Sequence, residues 1–207
     1  MEWMAIADCE KMLGAISERG APRKLRLFAC ACGRQLWQLL IDERSKIAVM
    51  TSESFADGQA SISDLETARN DALEASELLE DRCVPGGPID SEEIWSAAEV
   101  AWEIASTHPH PWHVAYAVKN PAKCAHLLGD VFGNPFRPVA FDPAWRSSTV
   151  ASLAEAIYAE RAFDRLPILA DALEDAGCTS SDVLEHCRQP GEHVRGCWVV
   201  DLVLGKE

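Results

Sequence analysis

Pro22-Arg23-Lys24-Leu25-Arg26-Leu27-Phe28-Ala29-Cys30-Ala31-Cys32-Gly33-Arg34-Gln35-Leu36 is the stretch whose spacing decides the fold class. Proline suits the first position of a helix, where its missing N–H costs nothing. Leu25, Phe28, Ala29, Cys32, Leu36, Leu39 and Leu40 then recur every three or four residues, the period of one buried helix face. Arg23, Lys24, Arg26 and Arg34 lie off that stripe as a basic flank.

The same period extends to both sides. A short helix precedes the stretch over about 8–18, and another follows from Asp42 to Ala56, closed by Gly58. Ser63-Asp64-Leu65-Glu66 has the spacing of a capping box, and Leu65, Ala68, Ala72, Ser76 and Leu79 mark the face of the helix it would start. Cys83-Val84-Pro85-Gly86-Gly87-Pro88 breaks the pattern. A helix from near Ser91 buries Ile94, Trp95, Ala98, Trp102 and Ala105, and helical pieces continue to Phe132. After the irregular Gly133-Asn134-Pro135-Phe136-Arg137-Pro138, helices are drawn over 148–161, 166–176, 180–187 and 192–204. Cys197 to Leu204 is apolar and β-branched enough to pass for a strand, and is read as a buried helix. The expectation is an all-α, compact multi-helix globule of about eight to ten helices. It forms a single domain over 1–207, with 60–118 as an acidic helical hairpin on a core shared by both ends. Leu36, Leu40, Leu153, Ile157, Leu169 and Trp198 should lie in that core.

Composition narrows the function classes. The 207 residues are 48% hydrophobic and 25% charged, as in an ordinary globular protein. No run of 18 apolar residues occurs, and Met1 to Asp8 lacks the basic and long apolar regions of a secretion signal, so a cytoplasmic protein without membrane association is expected. Eight scattered cysteines in a chain large enough for its own core read as mostly reduced thiols. The net charge of −14 argues against nucleic-acid binding. Fourteen acids stand against two bases between Glu53 and Glu103, whereas Arg19 to Lys46 holds seven bases and two acids. The acidic stretch, with Glu74, Glu77 and Glu80 at its centre, would meet a basic protein partner.

Three segments also carry a resemblance: Arg23 to Cys32, Phe132 to Val139 (Phe-Gly-Asn-Pro-Phe-Arg-Pro-Val), and the tail from Ile157 to Trp198 with Glu160-Arg161-Ala162-Phe163-Asp164-Arg165-Leu166-Pro167 and His193-Val194-Arg195-Gly196-Cys197-Trp198. The chain resembles a bacterial helical domain family whose members share these segments and vary in the middle. The resemblance implies no activity. Relatives often carry a further cysteine and arginine where this chain has Gly33 and Gln35.

The best chemical constellation is Cys178, His186, His193 and Cys197, with Cys187 nearby. Zinc takes four thiolate or imidazole donors, and His193 and Cys197, four residues apart, share a face if helical. Against this, no paired C-x-x-C knuckle is present. His108-Pro109-His110-Pro111-Trp112-His113 is read as a surface loop, because alternating proline splays the imidazoles. Cys30 and Cys32 point about 200° apart on a helix, so one is expected inside and the other on the flank. Glu160, Arg161, Asp164 and Arg165 read as a salt-bridged face, and Arg137, among Phe132, Phe136, Phe141 and Trp145, as a clamp or exposed binding anchor. No G-x-S-x-G, phosphate-loop, dinucleotide or H-E-x-x-H motif occurs, and no catalytic residue is identified. The reading is a noncatalytic interaction or regulatory module without a cofactor. A zinc-binding helical domain and an enzyme of unidentified reaction stay open as alternatives.

Overall fold

A computed structural model of the chain describes residues 9–17, 21–80 and 91–206. The described residues are all-α, with no strand. The helices are α1 (Cys9–Ser17), α2 (Pro22–Gln35), α3 (Glu43–Ala56), α4 (Ile62–Glu80), α5 (Ser91–Ile104), α6 (Pro111–Ala117), α7 (Pro121–Phe132), α8 (Ser148–Glu160), α9 (Leu166–Asp175), α10 (Ser181–Arg188) and α11 (Trp198–Leu204). Single 3-10 turns cover Pro143–Trp145 and Phe163–Arg165. The eleven helices among the described residues exceed the expected eight to ten, because the pieces before Phe132 are separate helices. The break expected at Cys83 to Pro88 lies outside the described residues. No described helix is long and apolar enough to cross a membrane.

Packing divides the chain into two compact units, 9–126 and 127–206 among the described residues. This boundary differs from a core shared by both ends. In the first unit α4 and α5, from the 60–118 segment, pack with α3, and α2 packs on α3, α5 and α6. In the second, α8 packs on α9 and α11, and α10 on α9. Short connections make sequential helices neighbours, so the grouping follows chain order. Leu40, Ile157 and Leu169 are buried as expected, while Leu36, Leu153 and Trp198 are half-buried.

Helix α2 is buried on every side over Arg26 to Gly33, which revises its reading as a one-faced helix. Cys30 and Cys32 are both inside, neither on a flank. Burial, and next the neighbouring Glu53, push the Cys30 thiol up to about 12. The three arginines of the basic flank are consumed internally. Arg23 pairs with Asp57 at 2.9 Å and Arg34 with Glu53 at 2.9 Å. Arg26 donates to Ser52 Oγ at 3.1 Å and to the carbonyls of Ile104, Ser106 and Thr107 at 3.2, 2.9 and 2.6 Å. Arg23, Arg26 and Arg34 therefore hold helices together instead of presenting a charged face.

Local chemistry sets the helix ends. Asp42 caps α3 by accepting from the Arg44 N–H at 2.9 Å, and Gly58, at φ 69°, ends it. The capping box sits two residues before the expected one: Ser61 N donates to Asp64 Oδ2 at 2.8 Å and Asp64 N to Ser61 Oγ at 3.2 Å. Both spacings exist in the sequence, and the earlier one starts α4 at Ile62 with Leu65 and Ala68 directed inward. Cys9 and Cys124 are joined by a disulfide, their Cα atoms 5.8 Å apart, which corrects the expectation of reduced thiols for this pair. The fold brings α1 to the start of α7 within the span a bridge requires.

Candidate metal centre

The second unit gathers four buried donors, Asp130, His186, His193 and Cys197. One ligand atom from each lies within 4.8 Å of all the others. Asp130 stands near the end of α7 among Leu127, Leu128 and Val131, all fully buried, so the helix's apolar face carries a carboxylate inward. His186 is on the inward face of α10 with Val183. That helix stops at Gln189 because Pro190 disfavours helical backbone in the residue before it, and Gln189 is extended at φ −64°, ψ 141°. His193 and Cys197 lie on the connection to α11.

This connection departs from the expected helix over 192–204, since α11 begins only at Trp198. Gly191 and Gly196 have φ of 147° and 93°, and a turn closes from Cys197 N to Val194 O at 2.9 Å. The turn, not a helical face, brings His193 and Cys197 together. Gly133, at φ 60°, lets the Trp198 ring lie where a Cβ would be 3.0 Å from it. That ring in turn packs 5.1 Å, centroid to centroid, from the His186 imidazole, so the Gly133 turn supports the site.

Contacts inside the cluster are short. Asp130 Oδ1 is 2.5 Å from His193 Nδ1 and 3.2 Å from His186 Nε2, and Oδ2 accepts the Val194 N–H at 2.8 Å. The same His186 Nε2 is 3.2 Å from Cys197 Sγ. The other nitrogen, Nδ1, is 3.1 Å from Gln189 Nε2. His193 Nε2 is buried without a hydrogen-bond partner. Burial by itself would raise the Asp130 carboxyl, but hydrogen bonds from His186 and His193, together with their charges, hold it down at about 2. Burial and the Asp130 charge push the Cys197 thiol well above its usual range. Burial, and then Asp130 and Cys178, raise Cys187 to about 12.

These features decide between chemistries. A nucleophilic cysteine needs an accessible thiolate and a histidine whose far nitrogen is oriented by a carboxylate. Here Cys197 is fully buried with its thiol stabilised, and Asp130 approaches the same nitrogen of His186 as the sulfur does. The arrangement is poor for acyl transfer and suited to enclosing a cation. The two 3.2 Å separations approach the roughly 3.4 Å edge of a zinc tetrahedron with bonds near 2.0–2.3 Å.

Of the expected metal donors, His186, His193 and Cys197 are brought together and Cys178 stands apart from the group. Cys178 follows Gly177, at φ 88°, and donates its N–H to Leu173 O at 2.9 Å, ending α9 with its side chain in the apolar core. Asp130 takes the fourth place. Its signal in the sequence is a single acid inside Leu127-Leu128-Gly129-Asp130-Val131-Phe132, where an unpaired charge would be costly.

The remaining candidates are dispersed. His108, His110 and His113 are exposed, with His110 Nδ1 held 2.8 Å from Glu103. Arg137 is exposed and 3.5 Å from Asp182, while Arg146, not Arg137, lies over the Phe141 ring. Glu160 pairs with Arg165 at 3.0 Å. Glu74, Glu77 and Glu80 are exposed on α4, Glu74 being 3.5 Å from Arg44. No protein-family model, curated protein or solved structure matches the chain.

Proposed function

We propose that residues 127–207 form a noncatalytic helical domain stabilised by one zinc ion, held by Asp130, His186, His193 and Cys197. The observation that supports this most is the crowding of a carboxylate oxygen and a sulfur on one imidazole nitrogen. That nitrogen has either one hydrogen or one lone pair, so it serves one neighbour well and not both. A cation between them accepts a lone pair from each. Mixed oxygen, nitrogen and sulfur donors suit zinc, whereas magnesium and calcium take oxygen. Two neutral imidazoles, a carboxylate and a thiolate cancel the charge of Zn²⁺, which lowers the cost of burying the set. Four buried protein donors leave no position for water or substrate, as in structural sites.

Elemental analysis of protein purified without a histidine tag or chelator tests the reading. One zinc per chain is expected, falling to well under half in Cys197→Ser and His186→Ala. Metal-free protein that also fails to develop a cobalt ligand-field spectrum on titration with Co²⁺ would refute it.

The second part of the reading is that the protein acts by binding a basic protein partner. It is supported by the outward face of α4, where Glu66, Asp71, Glu74, Glu77 and Glu80 are exposed. Reversing Glu74, Glu77 and Glu80 to lysine should weaken such a complex and its salt dependence, with a stability change within about 0.5 kcal/mol per site. Pull-down with the wild-type and reversed proteins at low and high salt reads the effect, and a partner retained equally in all four conditions contradicts it.

A further inference from the structure

We propose that Gln189 is a positioning residue that sets the tautomer of His186 and thereby the affinity of the metal centre, an inference that rests on the metal reading above. Gln189 is three residues past His186, where α10 ends, and its backbone N–H still bonds Glu185 O at 2.8 Å. Its extended backbone sends the half-buried side chain back across the helix end, placing the amide nitrogen 3.1 Å from His186 Nδ1. In that arrangement Nδ1 accepts and the ring's hydrogen sits on Nε2, facing Asp130 and Cys197.

A metal bound at Nε2 requires the reverse. Nε2 must present its lone pair, Nδ1 must carry the hydrogen, and that hydrogen needs an acceptor. A half-turn of the Gln189 amide about its last bond puts Oε1 where Nε2 was. The amide thus satisfies both tautomers, the metal-free and the metal-loaded, with no movement of the backbone. The imidazole has little freedom to solve the problem by turning, since the His193 ring lies 4.9 Å and the Trp198 ring 5.1 Å from it. Methionine at 189 would fill similar space and offer no acceptor. Glutamate would be an acceptor only, favouring the tautomer that binds metal.

Zinc affinity is measured by competition with a chromophoric chelator, and the cobalt spectrum is recorded, for the wild-type chain, Gln189→Met and Gln189→Glu. Gln189→Met should bind zinc about tenfold or more weakly, with altered cobalt bands, and its metal-free form should unfold at a somewhat lower temperature because the bond to His186 Nδ1 is lost there as well. Gln189→Glu should recover or exceed wild-type affinity. Equal affinity in wild type and Gln189→Met, or no recovery in Gln189→Glu, overturns the positioning role while leaving the site intact. A wild-type chain that takes up neither zinc nor cobalt defeats the metal reading itself, and this inference with it.

Discussion

Replacing Asp130 with alanine should destabilise residues 127–207 by roughly 3–5 kcal/mol even in metal-free protein, the cost typical of removing one partner from a buried charged network. The carboxylate is 1% exposed and accepts from the Val194 N–H while engaging both imidazoles. Alanine leaves a backbone donor and two ring nitrogens buried without this acceptor. Asp130→Asn keeps one oxygen but turns an amide N–H₂ toward a donor, so a smaller loss of roughly 1–3 kcal/mol is expected. Hydrogen exchange localises the effect: amides of α10 and α11 should lose protection in both variants, more in the alanine protein. Protection in α10 and α11 equal to wild type in Asp130→Ala would show that the cluster does not hold this unit together. In zinc-loaded protein the gap should widen, because binding free energy adds to folding free energy where the unfolded chain has no site.

The second large effect belongs to Arg26 in the other unit. Its guanidinium, in a residue 5% exposed, reaches three carbonyls at and beyond the end of α5 as well as Ser52 Oγ, and lies 4.9 Å over the Phe55 ring. The C-terminal end of a helix carries partial negative charge on unpaired carbonyls, which offsets the cost of burying a cation there. Burial lowers the Arg26 pKa from its ordinary value. Arg26→Met fills much of the volume but strands the Ser106 and Thr107 carbonyls, and should cost roughly 3 kcal/mol or more. Arg26→Lys keeps the charge yet lacks the planar fork that reaches several acceptors at once, so an intermediate loss is expected. Urea unfolding of the three proteins measures the order. A methionine variant as stable as wild type would mean that these carbonyls find other partners.

The linear pattern puts Arg26 on a basic flank and gives Asp130 no role, and the reason is the same. Arg26 falls off the apolar stripe of its own helix, and Asp130 falls within one. Helical period reports which residues of one segment share a face. It does not report whether a second or third helix covers the opposite face, as happens around α2, nor which distant group meets a charge on the covered side.

The sequence by itself determined the all-helical class, because the three- and four-residue period is a property of each segment alone. It also determined the start of α2 at Pro22 and the stop of α3 at Gly58, where missing N–H groups and left-handed backbone are local matters. His186, His193 and Cys197 were legible as donors because they fall within one short region of chain. Only the tertiary structure decided that the fourth donor is Asp130, since His193 and Asp130 are 63 residues apart. Only it decided that Cys178 ends a helix, that Cys9 meets Cys124 across 115 residues, and that the arginines flanking the stripe of α2 are spent on internal bonds. Long-range pairing is chosen by the burial and hydrogen bonding of whole helices against one another, and a donor's partner is set by that packing, not by its neighbours in the chain.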